Sequence, residues 1–423
     1  MKKSSNIQIV LDIGTSEFKA IAFAPSSVKV SQHNLSYEII ASSRLPSCGV
    51  RKGVIVHLEH AAAQVESLLS EIEREISSEV SEVICVLSGS HLHGNNHSAL
   101  VEVRHGEVSK GDIERVLEST RKMGKSGERE LLHVIPQEFV VDEQDGIRQP
   151  LGMAGNRLEA RVHLVTGLAS FARNVVKCVN LSGRMVRDFV VGGLASARAV
   201  TSSEERELGV LVLDIGGGTT DIAVISRGVL CHLAVISLGG GHLTFDLAAG
   251  LRTPIVAAER LKCSYGAAFA QTVYLDDVVE VASTGVRPPR LVSRKTLVQL
   301  LEPRVRELLE IVKAEMVSFE LLKIAHAGVV LSGGGAQLSG IDTVAEQVLG
   351  LPVRIGSFSE VSSSSENVVN PVFSACVGAG LEAGSAVNSF YSPSRAYSPF
   401  TNSETVPFTK WIRHIGDWLG QHF

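Results

Sequence analysis

The sequence predicts a mixed α/β protein in which one half repeats the other. Residues 213–224 read as a strand, a turn of three glycines and a second strand, with Asp214 at the end of the first strand. Residues 10–16 show the same order of residue types, with Asp12 two positions before Gly14 and small hydroxylated residues after it. Two copies of one motif at a long separation indicate an internal duplication.

The order of the predicted elements supports this duplication. Apolar residues recur at spacings of three and four across residues 58–76, which predicts an amphipathic helix. The order strand, strand, strand, helix, strand in the first half starts again at Gly209. The predicted strands are residues 7–13, 18–23, 37–42 and 83–87 in the first half, and residues 210–215, 221–225 and 229–236 in the second.

The two hairpin motifs carry the chemistry of a polyphosphate site. Glycine has no Cβ and tolerates positive φ, so its backbone amides can crowd around an anion. A carboxylate at a strand end suits hydrated Mg²⁺, and hairpins that face each other would hold one ion between Asp12 and Asp214. For either motif alone, the alternative is a glycine-rich β-turn that binds nothing. The predicted phosphate contacts are Asp12, Gly14, Thr15, Ser16, Asp214, Gly216, Gly217, Gly218, Thr219 and Thr220.

This paired arrangement resembles the actin, chaperone and sugar-kinase superfamily of ATP-binding proteins. The resemblance implies an actin-like fold, a duplicated ribonuclease H-like α/β fold with an ATP cleft between the two halves. Hydrolysis would need in-line positioning of water and stabilisation of charge beyond a grip on the phosphates. Asp214 and Asp221 are the candidates for holding metal or water, and the sequence does not choose between them.

The composition of the 423-residue chain is that of a globular protein with at least two cores. A formal net charge of -5 gives no reason to expect nucleic acid as a partner. The six cysteines are scattered without a Cys-x-x-Cys pair, which indicates a reducing, cytosolic compartment. The apolar segment after Lys3 is short and contains Asp12, so we expect no secretory or transmembrane segment.

The pattern changes between residues 88 and 165, which predicts an inserted α+β subdomain. An amphipathic helical stretch around Ile113 and strand-like segments at residues 131–142 and 160–165 support it. The polar segment 90–97 that opens the insertion is expected to be a solvated loop. Its His91, His93 and His97 are the alternative metal ligands, but no cysteine or carboxylate lies near them in the sequence.

Several segments make the resemblance specific to the FtsA family of bacterial cell-division proteins. The most discriminating is His133 to Phe139, because it lies within the insertion. The sequence departs from the family pattern at Glu17, where many relatives have lysine, which leaves Lys19 as the expected phosphate contact. Residues 238–242 are also richer in glycine than the family pattern. The matching segments are residues 133–139, 167–169, 193–200, 214–223, 285–290, 331–337 and 353–356.

An adenosine pocket is predicted in the second half. Gly333, Gly334 and Gly335 follow an apolar strand and offer bare backbone to a ring. Glu259 and Lys262 share one helical face, and the resemblance places them, with Gly240, near the nucleotide. The alternative for Glu259 and Lys262 is a surface ion pair.

The sequence does not support two other nucleotide-binding motifs. Gly124-Lys125-Ser126 has Ser119 where the first glycine of a P-loop belongs. Residues 378–383 match a relaxed dinucleotide fingerprint, but they lie in an apolar helical stretch without a βαβ unit, so helix packing explains them better.

The C-terminal segment predicts a membrane anchor. Residues 385–407 are rich in Ser, Asn, Pro and Tyr and are expected to be a flexible linker. The spacing of apolar residues in 408–423 predicts an amphipathic helix whose apolar face carries both tryptophans of the protein, which suits the lipid interface. Docking of this helix on the protein body is the alternative. The predicted membrane face consists of Phe408, Trp411, Ile412, Ile415, Trp418, Leu419 and Phe423.

The resemblance also implies how the chain divides. The expected subdomains are 1A (residues 1–87, 166–196 and 370–384), 1C (residues 88–165), 2A (residues 197–228 and 291–369) and 2B (residues 229–290), followed by the linker and the membrane helix.

The resemblance implies an ATP- and Mg²⁺-binding adaptor with weak ATP turnover at most. It would self-associate as an actin-like polymer and bind the C-terminal peptide of the tubulin-like protein FtsZ. It would also recruit later divisome membrane proteins and lie peripherally on the cytoplasmic side of the cell membrane at the division septum. The alternatives are a sugar or acetate kinase, a chaperone, or the pilus-assembly protein PilM. A kinase has no reason for a membrane helix, a chaperone needs a peptide-binding domain, and the tail argues against PilM.

Overall fold

The structure is a computed structural model that describes residues 7–25, 37–124, 127–273, 277–285, 287–358, 361–363 and 370–384. The strands are β1 (Gln8–Ile13), β2 (Glu17–Pro25), β3 (Tyr37–Pro46), β4 (Val50–Arg51), β5 (Val54–Ile55), β6 (Glu82–Leu87), β7 (His93–Glu102), β8 (Arg129–Val141), β9 (Gln144–Ile147), β10 (Arg157–Leu168), β11 (Met185–Val191), β12 (Val210–Ile215), β13 (Thr220–Ser226), β14 (Val229–Ile236), β15 (Val278–Val281), β16 (Arg290–Ser293), β17 (Val329–Ser332), β18 (Val353–Ile355) and β19 (Val361–Ser363). The helices are α1 (Leu58–Ile76), α2 (Lys110–Gly124), α3 (Ala169–Leu181), α4 (Gly192–Val200), α5 (Ser203–Leu208), α6 (Gly240–Leu251), α7 (Ile255–Tyr265), α8 (Arg294–Ser318), α9 (Ile341–Leu349) and α10 (Ser374–Gly384).

The two halves contain sheets of the same topology. The first sheet has the order β11-β6-β1-β2-β3-β19, and the second has the order β14-β13-β12-β17-β18. In each half a central strand, β1 or β12, pairs antiparallel with the following strand and parallel with a later one. The predicted duplication of an α/β unit is therefore confirmed.

Helix α1 covers the first sheet, and its bounds agree with the apolar spacing of the sequence. Its residues Val65, Leu68, Leu69 and Ile72 are fully buried with the sheet residues of the same core. Each such side chain contributes about 1.5–3 kcal/mol through burial. The helix ends at Ser77, whose positive φ of 51° breaks the helical path.

The inserted subdomain has its own four-stranded antiparallel sheet, of order β7-β10-β8-β9, packed against α2. The prediction of an inserted α+β unit is confirmed, while its exact bounds stay a prediction. The expectation of a solvated loop at residues 90–97 is wrong. His93 to His97 lie in β7, which pairs with β10, and His91 is buried and stacked on Phe171 with ring centroids 4.1 Å apart. Much of β7 is exposed, so its composition resembles a loop although its backbone pairs with β10 along its whole length as an edge strand.

Helices α4 and α10 cross closely at the centre of the first half. A methyl group on Gly378 would overlap the carbonyl oxygen of Ala195 and lie 3.0 Å from its Cα. Arg198 and Glu382, both almost completely buried, face each other at 3.8 Å between these helices. Residues 378–383 therefore serve helix packing, as the sequence analysis predicted.

None of the helices in the described part of the chain has the length and apolar character needed to cross a membrane.

The predicted linker at residues 385–407 and the predicted membrane helix at residues 408–423 lie outside the described residues.

Candidate functional site

The two glycine hairpins meet at a cleft between the halves. The first hairpin joins β1 to β2, and the second joins β12 to β13. A methyl group on Gly217 would overlap the hydroxyl oxygen of Ser16 and lie 2.9 Å from its Cβ. A methyl group on Gly218 would lie 2.7 Å from Oγ1 of Thr15. The fold thus brings the two predicted motifs into direct contact, and only glycine fits on the second hairpin at this closeness.

Asp12 is held by a lysine of the neighbouring strand. The ammonium of Lys19 donates to Oδ2 of Asp12 at 2.9 Å and to the carbonyl of Val372 at 3.0 Å. Burial alone would lower the pKa of Lys19, but the neighbouring acidic groups, Asp12 first among them, together outweigh burial and the net shift is upward. Lys19 therefore fixes the orientation of Asp12, and its predicted contact with phosphate stays a prediction.

Asp214 and Asp221 lie opposite each other on β12 and β13. The hydroxyl of Ser196 donates to Oδ2 of Asp214. Burial raises the pKa of Asp214, an effect that the Ser196 hydrogen bond partly opposes. Burial, followed by the charges of Asp214 and Asp12, raises the pKa of Asp221 well above its ordinary value. Three carboxyl groups therefore lie close together where a cation would relieve their repulsion.

The carboxylates of the cleft fit a magnesium ion that takes most of its ligands from waters and from the phosphates of a nucleotide. Oδ1 of Asp221 is buried and has no hydrogen-bond partner among the described residues. Within that part of the chain, no group of three or more His, Cys, Asp or Glu side chains is placed to hold a metal by itself. Mg²⁺ is commonly bound through one or two carboxylates together with phosphate oxygens and waters. Asp12 and Asp214 as its ligands stay a prediction.

The glycine turn after β17 lies beside Asp214. A methyl group on Gly333 would overlap Oδ1 of Asp214, and one on Gly335 would lie 2.8 Å from Cβ of Ile215. A methyl group on Gly334 would meet no atom within 4 Å. The turn is therefore packed on one side and open on the other, as a surface for a flat ring requires.

The predicted pair of Glu259 and Lys262 belongs to a larger network. The Lys262 ammonium donates to Oε2 of Glu259 at 2.8 Å, to Oγ1 of Thr244 at 2.9 Å and to the carbonyl of Gly240 at 3.1 Å. Burial alone would raise the pKa of Glu259, but the charge of Lys262 and the hydrogen bonds to the carboxylate together outweigh burial, and the pKa is lowered. The Lys262 side chain is only 14% exposed, so a freely solvated surface pair does not describe it. Contact with adenosine stays a prediction.

The start of α6 is bonded to the second hairpin. The backbone amide of Gly240 donates to the carbonyl of Gly216 at 2.9 Å, and that of Gly241 donates to the carbonyl of Gly217 at 2.7 Å. These two helix-start amides are thus used inside the protein. The hairpin is thereby hydrogen-bonded to α6, and Lys262 of α7 is hydrogen-bonded to Gly240 and Thr244 of α6.

Sequence reasoning assigned no role to two contributors to this site. Ser196 belongs to the segment 193–200 that matches the family pattern, and its hydroxyl orients Asp214. The short hairpin formed by β4 and β5 was not predicted, and the amide of its Gly53 donates to Oγ1 of Thr15 at 2.8 Å. The available signal was the pair of glycines, since Gly49 directly precedes β4 and Gly53 lies in the turn between β4 and β5.

A repeated α/β sheet with an Asp-Gly hairpin of each half meeting at a central cleft defines an actin-like protein. Comparison with solved structures agrees with this class. The "PilM-PilN type IV pilus biogenesis complex" matches with a TM-score of 0.63 and 18% identity, covering 88% of this chain and 97% of that one. The ethanolamine utilization protein EutJ from Carboxydothermus hydrogenoformans matches with a TM-score of 0.50 and 17% identity, covering 90% of this chain and 91% of that one. At these identities the likeness concerns the fold alone.

Family comparisons are more specific. The family model "Cell division protein FtsA" matches residues 211–378, and "SHS2 domain inserted in FTSA" matches residues 89–166. The cell division protein FtsA of Pseudomonas aeruginosa is 37% identical over 376 residues, which cover 89% of each chain. FtsA of Escherichia coli K12 is 36% identical over 392 residues, covering 91% of this chain and 92% of that one. The chain belongs to the FtsA family of cell-division proteins.

Proposed function

We propose that this FtsA-family protein binds ATP with Mg²⁺ in the cleft and uses the nucleotide to set the angle between its halves. The supporting observation is the contact of two Asp-Gly hairpins, one from each half, at Ser16 and Gly217. A polyphosphate bound between them would contact backbone amides and hydroxyls of both halves at once. The nucleotide would therefore clamp the two halves together, and ATP hydrolysis would be slow at most.

The residues around the cleft have separate tasks in this proposal. Lys19 holds Asp12, and Ser196 holds Asp214, so that both carboxylates point to the cleft in fixed orientations. When bound, Mg²⁺ would neutralise charge on the phosphates and on these carboxylates. The turn at residues 333–335 and the Lys262 network would form the walls for the adenosine. Asp221 or Asp214 would hold the attacking water or the metal.

The second part of the proposal concerns assembly at the membrane. The chain would self-associate, in a manner that depends on the nucleotide-set angle, and hold FtsZ polymers at the cytoplasmic face of the membrane. Residues 408–423 would insert their apolar face among lipid headgroups. The inserted subdomain would serve self-association and later division proteins.

A surface for the C-terminal peptide of FtsZ is available on the outer subdomain at residues 229–290. Its helices α6 and α7 expose three large apolar side chains, Phe245, Ile255 and Val256, at 63%, 60% and 67%. An amphipathic peptide could cover them, which supports the expected docking on this subdomain.

A vesicle flotation assay tests the proposal as a whole. The full chain, with ATP and Mg²⁺, is mixed with phosphatidylglycerol and phosphatidylethanolamine vesicles and fluorescent FtsZ polymers. The protein and FtsZ are expected to float together, and both are expected to stay at the bottom with Trp411→Glu. Flotation of the Trp411→Glu variant would contradict the membrane assignment.

The nucleotide assignment is tested in the same preparation. Asp214→Ala is expected to lose ATP binding and self-association together, whereas Asp145→Ala, which removes an exposed carboxylate far along the chain from the cleft motifs, should keep ATP binding. Unchanged ATP affinity in Asp214→Ala would overturn the proposed cleft function.

A further inference from the structure

A third hairpin lies over the point where the two glycine hairpins meet. It consists of β4 and β5, joined by Lys52 and Gly53. The amide of Gly53 donates to Oγ1 of Thr15 on the first glycine hairpin at 2.8 Å. A methyl group on Gly218 of the second glycine hairpin would lie 2.8 Å from Cα of Lys52. The backbone at Lys52 therefore contacts both halves of the candidate phosphate site.

The turn of the third hairpin also packs against the backbone that follows β6. A methyl group on Gly53 would lie 2.7 Å from the carbonyl oxygen of Ser88 and 3.1 Å from Cα of Gly89. Ser88 and Gly89 directly follow β6 at the base of the inserted subdomain. The position of Lys52 is thus fixed by the fold on two sides.

Turn chemistry does not explain a lysine at this position. Arg51 pairs with Val54, so the connection is a two-residue loop, and both of its residues have positive φ, 50° at Lys52 and 75° at Gly53. Such loops favour Asn-Gly, because asparagine and glycine tolerate this conformation. The same kind of loop joins β13 to β14, where Arg227 has a φ of 52°, so the turn tolerates a cation without requiring one. The position of Lys52 beside the candidate site, and not its conformation, therefore points to a role for its side chain.

The charge balance of the cleft points to the same role. Three carboxyl groups, those of Asp12, Asp214 and Asp221, lie close to one another. The cations already described are engaged, because Lys19 pairs with Asp12 and Lys262 pairs with Glu259. Lys52 is exposed, and among the described residues it takes part in no ion pair. It is therefore a cation at the hairpin tips that is free to meet an incoming anion.

We propose that Lys52 binds the phosphates of the nucleotide, so that the β4–β5 hairpin forms a third wall of the phosphate site. This inference rests on the proposed ATP binding and names a residue for it. The contact would be a charge-assisted hydrogen bond from the ammonium to phosphate oxygens. It would be lost with adenosine, which has no phosphate.

The test measures binding of ATP with Mg²⁺ and of adenosine to the full chain by calorimetry. Lys52→Asn removes the cation and keeps a residue that suits the turn, so the fold should be kept. Its affinity for ATP is expected to fall about 10- to 100-fold, the range for a hydrogen bond to a charged group. Its affinity for adenosine should equal that of wild type. Lys52→Arg should restore ATP binding, and the matched control Arg51→Asn, which removes the adjacent cation, should bind ATP like wild type.

The outcomes separate this inference from the proposed function. If wild type binds ATP and Lys52→Asn binds it equally well, the role of Lys52 is overturned and the cleft function stands. If Arg51→Asn loses as much affinity for ATP as Lys52→Asn, the loss comes from the lower positive charge of the surface in general. The proposal of a specific contact between Lys52 and the phosphates is then overturned. If wild type does not bind ATP, the proposed function fails and this inference fails with it.

Discussion

The contact between the two glycine hairpins can be tested by adding a single methyl group. In Gly217→Ala the new Cβ would overlap the hydroxyl of Ser16. Rotation of that hydroxyl is not sufficient, because the new Cβ would still lie 2.9 Å from Cβ of Ser16, whereas ordinary contact begins at 3.4 Å. One hairpin must therefore retreat by about 0.5 Å. Overpacking of this kind costs about 1–3 kcal/mol of unfolding free energy.

The assay is thermal unfolding without nucleotide, followed by circular dichroism. For a chain of 423 residues the cost corresponds to a fall in the melting temperature of roughly 1–3 °C. Gly334→Ala is the matched control, because its methyl group meets no atom within 4 Å and the melting temperature should not fall. Ser16→Gly combined with Gly217→Ala removes the obstructing side chain. The double variant should therefore recover about 1–2 kcal/mol relative to the sum of the single variants.

Two results would refute this reasoning. One is a Gly217→Ala protein as stable as wild type, which would mean that the hairpins do not touch. The other is additivity of the Ser16 and Gly217 substitutions, since residues in contact across the cleft must show coupling.

Three further predictions concern stability. In Gly378→Ala the new methyl group would overlap the backbone carbonyl of Ala195, which cannot rotate away. We therefore expect the unfolding free energy, measured by urea titration, to fall by about 3 kcal/mol. An unfolding midpoint equal to that of wild type would contradict the close crossing of α4 and α10. Burial lowers the pKa of His163 to about 3, below the ordinary 6.5, so its folded state resists protonation and stability is lost as the pH falls below 6.5. His163→Gln should therefore reduce the slope of the unfolding free energy against pH between 6.5 and 4 by up to about 1.4 kcal/mol per pH unit, as measured by urea titrations. An unchanged slope would refute this. Burial raises the pKa of Asp221, so its contribution to stability is lost as the pH rises above 3.8. Asp221→Asn should therefore be more stable than wild type at pH 8 and should gain no stability below pH 3.8. Equal stability of the two proteins at pH 8 would argue against a buried, protonated Asp221.

The elements that the sequence predicts well are those in which local pattern and tertiary environment agree. Helix α1 has its apolar residues on one face, and that face is the buried one. The strands β1 and β12 are almost wholly apolar because they are central strands covered on both sides. The paired hairpins were found because glycine and aspartate at fixed spacing are required by the backbone and by the chemistry at the same time.

The elements that the sequence does not predict depend on partners far along the chain. Strand β7 is polar, and its pairing comes from β10, more than fifty residues later. The short hairpin of β4 and β5 has too few residues to show periodicity.

The site itself was predicted in composition and only partly in detail. Lys19 was expected to meet phosphate, but its register opposite Asp12 on adjacent antiparallel strands places the two side chains together. That pairing follows from the hairpin register, which the sequence alone leaves open by one or two residues. Lys262 was expected to pair with Glu259, while Thr244 and Gly240 join that network only through the packing of α6 on α7.

The most direct test of the central claim is a crystal structure of the full chain with a slowly hydrolysed ATP analogue and Mn²⁺ in place of Mg²⁺. The account predicts phosphate oxygens within hydrogen-bond distance of both hairpins, residues 14–16 and 216–219, and a metal peak between Asp12 and Asp214. A nucleotide that contacts only one half, or that lies away from both hairpins, would contradict it.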